Sequence, residues 1–203
     1  MQYLVLVTIL WAFSFSLIGE VLAGEVDSYF AVLIRVVLAS LVFLPFTKFR
    51  GIQTKLKLKI MLIGTVQIGL MYIFLYKSFL FLSVPEVVLF TVFTPIYVTL
   101  FYDGFKSQFK PLYLISTGLA VFGAYIIRYQ NISEDFITGF LMVQAASICF
   151  ALGQSAYNKV MESHKEIKHR DVFGYFHFGA LIVSVISFVL FSNPEKLSLS
   201  LIQ

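Results

Sequence analysis

The run Asp27 to Phe46, DSYFAVLIRVVLASLVFLPF, most constrains what this chain can become. It is apolar almost throughout and carries a single arginine, Arg35, inside it. About 20 apolar residues in succession is the length a helix needs to cross a bilayer. Arg35 follows Tyr29 by six residues, which at about 1.5 Å per residue sets it roughly 9 Å into the membrane. A guanidinium does not deprotonate in proteins, so its charge there needs a compensating partner.

The rest of the chain has the same character. Of its 203 residues 59% are hydrophobic and only 13% charged, against about 25% charged in a soluble domain. The mean hydropathy is +0.89. Seven apolar segments stand out, near 2–19, 29–46, 60–80, 84–102, 112–127, 137–157 and 173–191. They predict an all-α, polytopic transmembrane helix bundle. Val21-Leu22-Ala23 has the look of a signal-peptide cleavage site, but no basic region precedes it, so 2–19 reads as a retained first span. Cys149 is the only cysteine, which excludes an intrachain disulfide.

Charge gives the orientation. Apart from Arg35, eleven basic residues fall in loops on one side: Lys48, Arg50, Lys55, Lys57, Lys59, Lys106, Lys110, Lys159, Lys165, Lys168 and Arg170. Three fall on the other, Lys77, Arg128 and Lys196, together with Glu20, Glu25, Asp27, Glu134 and Asp135. The positive-inside rule then places the N-terminus in the cytoplasm. The net charge of +4 is therefore topological and does not point to nucleic acid. Rhodopsin-like receptors run the opposite way, and the seventh span has no lysine for a retinal Schiff base.

Arg35 and Glu86 are the clearest intramembrane charges, with Lys77 and Glu20 near the same edge. Two readings stand side by side. Arg35 pairs with Glu86, or Glu86 with Lys77, and locks helices; or Arg35 docks a substrate carboxylate bidentately while Glu86 organises it or carries a proton. The fourth span lines up Glu86, Phe90, Phe93 and Tyr97 by spacing, and Thr94-Pro95 interrupts it midway. The third span sets Gly64, Gln67, Met71 and Phe74 on one side. The sixth sets Gln144, Ser147, Ala151, Ser155 and Asn158 on one side, facing protein or water, with packing as the plainer role. Trp11 and Phe15 lie one turn apart beside Ser14 and Ser16. Ala31 and Ala39, and Ser116, Ala120 and Ala124, form small-residue rows suited to helix contact. His177 reads as a proton relay or, more plainly, as an interior hydrogen-bonder. Asn131-Ile132-Ser133 matches a glycosylation sequon. There is no HExxH, GxSxG, P-loop or Cys/His cluster, so no catalysis, metal or cofactor is expected.

Trp11-Ala12-Phe13-Ser14-Phe15, Arg35 followed by VVLASLVFLP, and Thr94-Pro95-Ile96-Tyr97 together resemble the EamA-type drug/metabolite transporter superfamily. The strings ILWAFSFSLIGEVLAGEVDSYFAVLIR and LFTVFTPIYVTLFYD resemble its carboxylate/amino acid/amine group. The resemblance implies ten helices in two inverted five-helix repeats, with 1–130 the first repeat and 131–203 an incomplete second. Gln203 follows the seventh span, so the resemblance implies a chain three helices short, a fragment or an interrupted reading frame. It also implies a bacterial inner-membrane importer of a small carboxylate-bearing metabolite, biotin above all, working by alternating access. Arg35, Glu86, Trp11, Phe15, Phe90, Tyr97, Gln67 and Gln144 would line the path. An exporter of amino acids or related metabolites, a truncated non-transporting subunit and a homo-oligomer stay open.

Overall fold

A computed structural model describes residues 2–106 and 133–193, with Ile115, Gly118 and Phe122 as single positions. Six helices in it are long and apolar enough to cross a membrane: α1 (Tyr3–Leu22), α2 (Ser28–Phe46), α3 (Thr54–Ser78), α4 (Val84–Phe105), α5 (Glu134–Glu162) and α6 (His169–Phe191). The chain is a multi-pass helical membrane protein. Apart from Ile115, Gly118 and Phe122, the expected span at 112–127, with its Ser116, Ala120 and Ala124 row, lies outside the described residues, as does Asn131 of the sequon.

Several helices outrun their apolar segments. α3 starts at Thr54 because Lys55 and Lys59 are exposed and the Lys57 amine donates to the Phe49 carbonyl at 2.8 Å, while Leu56 and Ile60 are buried. α5 has 29 residues, about 44 Å of helix, more than the roughly 30 Å hydrocarbon core. Its N-cap is Ser133, whose Oγ accepts the Phe136 N–H at 3.1 Å. Glu134 and Asp135 then sit in the first turn and Lys159 in the last, each matched to the helix dipole. Asp27 caps α2, taking the Phe30 N–H at 2.9 Å.

Three spans are locally irregular. α1 widens to π-type turns over Leu17–Leu22, and α3 does so over Thr65–Leu70. α4 tightens to a 3₁₀ turn over Thr91–Phe93. That last break follows from Pro95, which has no N–H to offer Thr91 four residues back and crowds its carbonyl. The interruption expected at Thr94-Pro95 is there.

α3 is the middle of the bundle, with α5 and α6 against it and α2 against α6. Lipid supplies no hydrophobic drive between helices, so close backbone approach has to hold them. Gly64 of α3 faces the backbone of Phe176, and Gly179 of α6 faces the backbone of Met61. A Cβ at either glycine would enter a main-chain carbonyl. Between them the Thr65 hydroxyl reaches the Gly179 carbonyl at 2.9 Å. The α2–α3 loop meets the start of α6 at one end, where the Lys48 N–H donates to the Asp171 carbonyl at 2.9 Å. The α2–α3 and α5–α6 loops and the helix ends beside them hold nine of the fifteen Lys and Arg: Lys48, Arg50, Lys55, Lys57, Lys59, Lys159, Lys165, Lys168 and Arg170. α1 is the least embedded helix, held where Gly19 meets Val84 and where the Phe15 and Phe79 rings lie 6.0 Å apart.

Candidate functional site

Val32 and Val36 are wholly buried and fix the inward face of α2, which turns the half-buried Arg35 toward α1 and α3. Its Nη1 donates to Ser14 Oγ at 3.2 Å and to Tyr76 Oη at 3.3 Å. The guanidinium carbon lies 4.3 Å from the centre of the Tyr72 ring. A ring face attracts a cation, more strongly where water is excluded. Nη1 has two hydrogens, and both are taken. Neither of these two bonds involves the Nε–Nη2 edge, which is the edge that grips a carboxylate with two parallel bonds, and the Tyr72 hydroxyl stands within reach of the guanidinium.

This arrangement corrects the ion-pair expectation. No ion pair joins Arg35 to Glu86 or Glu86 to Lys77 among the described residues. Glu86 occupies the third position of α4, and its Oε2 accepts the Ser83 N–H at 2.8 Å and the Ser83 hydroxyl at 2.6 Å. This is the backward reach of a capping box, which turns the carboxylate toward its own helix start. Lys77 instead lies 4.8 Å from the centre of the Tyr29 ring. Ser83-x-x-Glu86 was the sequence sign of this, and its position beside an apolar run hid it.

The other residues divide into groups. Tyr97 donates to Gln144 Oε1 at 3.0 Å, and Thr94 donates to Ser147 Oγ at 3.1 Å, so α4 and the polar stripe of α5 meet. Ser155 continues that seam with a bond to the Val98 carbonyl at 3.4 Å, whereas Asn158 is exposed. Phe90 is buried between Phe136 and Phe140, at 5.6 and 5.0 Å, and serves as core. Gln67 lies in the widened turn of α3, its side chain resting on Gly153 of α5. Trp11 is 61% exposed, one turn before Ser14 on α1. His177 is a satisfied interior group, its Nδ1 donating to the Phe173 carbonyl at 2.9 Å and its ring stacked on Phe43.

Two side-chain amide atoms are buried with no hydrogen-bond partner among the described residues: Gln67 Oε1 and Gln144 Nε2. The residues that sequence reasoning missed are Tyr72 and Tyr76. Their four-residue spacing in an apolar helix, near the depth of Arg35, was the available signal. An open cleft of about 320 Å³ lined by Phe74, Thr138, Leu141, Met142 and Ala145 is apolar and holds none of these groups.

Comparison with known proteins agrees with the sequence resemblance. A "Probable biotin transporter" of Pseudomonas aeruginosa is 50% identical over 198 residues, covering 97% of this chain and 69% of that protein. The "Biotin transporter" of Escherichia coli K12 is 47% identical over 204 residues, covering all of this chain and 68% of that protein. The protein of the same name from Salmonella typhimurium is 48% identical over 198 residues, covering 97% and 66%. No solved structure matches. The family model for EamA-like transporters matches residues 1–129, and the chain belongs to the EamA-like transporter family.

Proposed function

We propose that this chain imports biotin across the bacterial inner membrane as a secondary transporter, with its N-terminus in the cytoplasm. The observation that carries the reading is the Nε–Nη2 edge of Arg35, which takes no part in the bonds to Ser14 and Tyr76 while these two and Tyr72 hold the guanidinium inside an apolar bundle. A pinned guanidinium fork is matched to a carboxylate, the group biotin carries at the end of its chain. The hydroxyls and ring neutralise part of the charge in the empty state without filling the fork. Trp11, Phe15 and Tyr97 offer aromatic surface to the apolar part of the substrate, while Phe90 backs them as packing. Glu86 organises the start of α4 through its cap, and the irregular turns of α3 and α4 are where a span bends as access alternates. The basic end made by the α2–α3 and α5–α6 loops supports the cytoplasmic assignment. Assembly into a homo-oligomer belongs to the same proposal.

The test is uptake of labelled biotin by biotin-requiring bacteria that lack their own importer. The chain is expressed as it stands, and also extended by the part of the Escherichia coli relative beyond the match. Saturable uptake by either form supports biotin import. Absence of uptake by both, with both present in the membrane, overturns it.

A further inference from the structure

The two unpartnered amide atoms have opposite polarity. Gln144 Nε2 is a donor and Gln67 Oε1 an acceptor, both buried. A buried polar atom without a partner is costly, so such atoms need a reason.

Their depths differ in an orderly way. α3 and α5 run antiparallel, and Gln67 rests on Gly153. Gln144 lies nine residues before Gly153, about 13 Å along α5. On α3, Tyr72 and Tyr76, which hold Arg35, follow Gln67 by five and nine residues, about 8 and 13 Å. Gln144 is therefore level with Arg35, and Gln67 lies roughly 10 Å nearer the basic end. At the upper level both open positions are donors, the Arg35 edge and Gln144 Nε2. At the lower level the open position is an acceptor, set in a widened turn of the kind that accompanies functional sites.

A carboxylate only accepts hydrogen bonds, and a ring N–H only donates. The pattern therefore suits a substrate with a carboxylate at one end, an apolar chain between, and a ring bearing N–H at the other. We propose that Gln67 is the specificity residue for the cyclic urea of biotin, its Oε1 accepting a ureido N–H, while Gln144 Nε2 joins Arg35 on the carboxylate. This rests on the biotin-import reading. It assigns selectivity against other chain carboxylates to one side chain that no charge singles out.

The experiment measures labelled-biotin uptake in the same cells against four competitors. Desthiobiotin keeps the cyclic urea, lipoate keeps the acid chain without any N–H, and biotin methylated on one or the other ureido nitrogen loses a single donor. With the unmodified chain, desthiobiotin competes within a few-fold of biotin. Lipoate and one of the two methylated forms compete about tenfold or more weakly, as expected when a site's buried acceptor is left unpaired. Gln67→Met raises the KM for biotin about tenfold and erases the preference for desthiobiotin over lipoate, at equal amounts in the membrane. Gln144→Met weakens all the carboxylates alike and keeps that preference. Lipoate or both methylated biotins competing as well as biotin with the unmodified chain overturns the assignment without any variant. So does a Gln67→Met chain that keeps the original preference. Absence of biotin uptake altogether overturns the import reading instead.

Discussion

Arg35→Lys separates a docking fork from a mere intramembrane charge. In the structure Nη1 is committed to Ser14 and Tyr76, and the other edge makes no hydrogen bond to either of them. A lysine amine is a point charge that cannot hold the two hydroxyls and still offer two parallel bonds to a carboxylate. The variant loses at least one charge-assisted bond, about 1.5–3 kcal/mol. At about 1.4 kcal/mol per factor of ten, that is roughly a 10- to 150-fold loss of apparent affinity. Tyr76→Phe removes a 3.3 Å bond that Arg35 Nη1 donates to the hydroxyl and leaves the Nε–Nη2 edge intact, so only a few-fold effect on uptake affinity is expected. The assay is initial-rate uptake of labelled biotin over a range of concentrations, normalised to the chain present in the membrane. Biotin methyl ester serves as a second probe: it is expected to compete poorly for the unmodified chain and to be indifferent to Arg35→Lys. A lysine variant with an unchanged KM refutes the fork. A Tyr76→Phe variant as impaired as Arg35→Lys refutes it too, because Arg35 would then be an interhelical anchor.

Gly64→Val and Gly179→Val each drive a side chain into a facing carbonyl, so both lower the yield of folded protein in detergent, by more than the roughly 1–3 kcal/mol of ordinary overpacking. Heat-dependent aggregation followed by size-exclusion chromatography measures this, and an unchanged midpoint contradicts the close α3–α6 contact. Pro95→Ala restores the missing N–H and is expected to raise thermal stability while slowing uptake; faster uptake would remove any role for the Thr91–Phe93 break. Thr65→Val deletes the cross-helix bond to Gly179 and costs about 0.6 kcal/mol, a shift of only a few degrees in the melting midpoint.

Much of the architecture was legible because a bilayer asks for length and apolarity, and both are written locally. Six spans lie where apolar segments predicted them, and the α4 break sits beside its proline. The helix ends were less legible, since Lys55, Lys57 and Lys59 look like a loop but lie on a helix whose apolar positions are buried. Arg35 stood out at once, yet its partners did not. Ser14 and Tyr76 lie 21 and 41 residues away, and hydroxyls and rings carry no charge to search for. Glu86 misled for the opposite reason, as its charge suggested a pair with Arg35 or Lys77 while its place three residues after Ser83 turned it to the cap. Gln67 and Gln144 were visible only as polar marks on apolar helices; their empty hydrogen-bonding positions are a property of packing.

The widened turn at Thr65–Leu70 also stores an angle. A π-type turn takes in about one residue more than an α-turn, and one residue is roughly 100° of rotation about the helix axis. Were this turn to close up to α-helix, the segment from Met71 to Ser78 would swivel by about that amount relative to Thr54–Gly64. Tyr72 and Tyr76 would leave the guanidinium, and Gly64 would keep its seat on Phe176. The lower half of α3 is thus a fixed bearing and the upper half a spindle. Because Met71, Leu75, Tyr76 and Ser78 are buried against α2 and α5, such a swivel would have to carry those contacts with it.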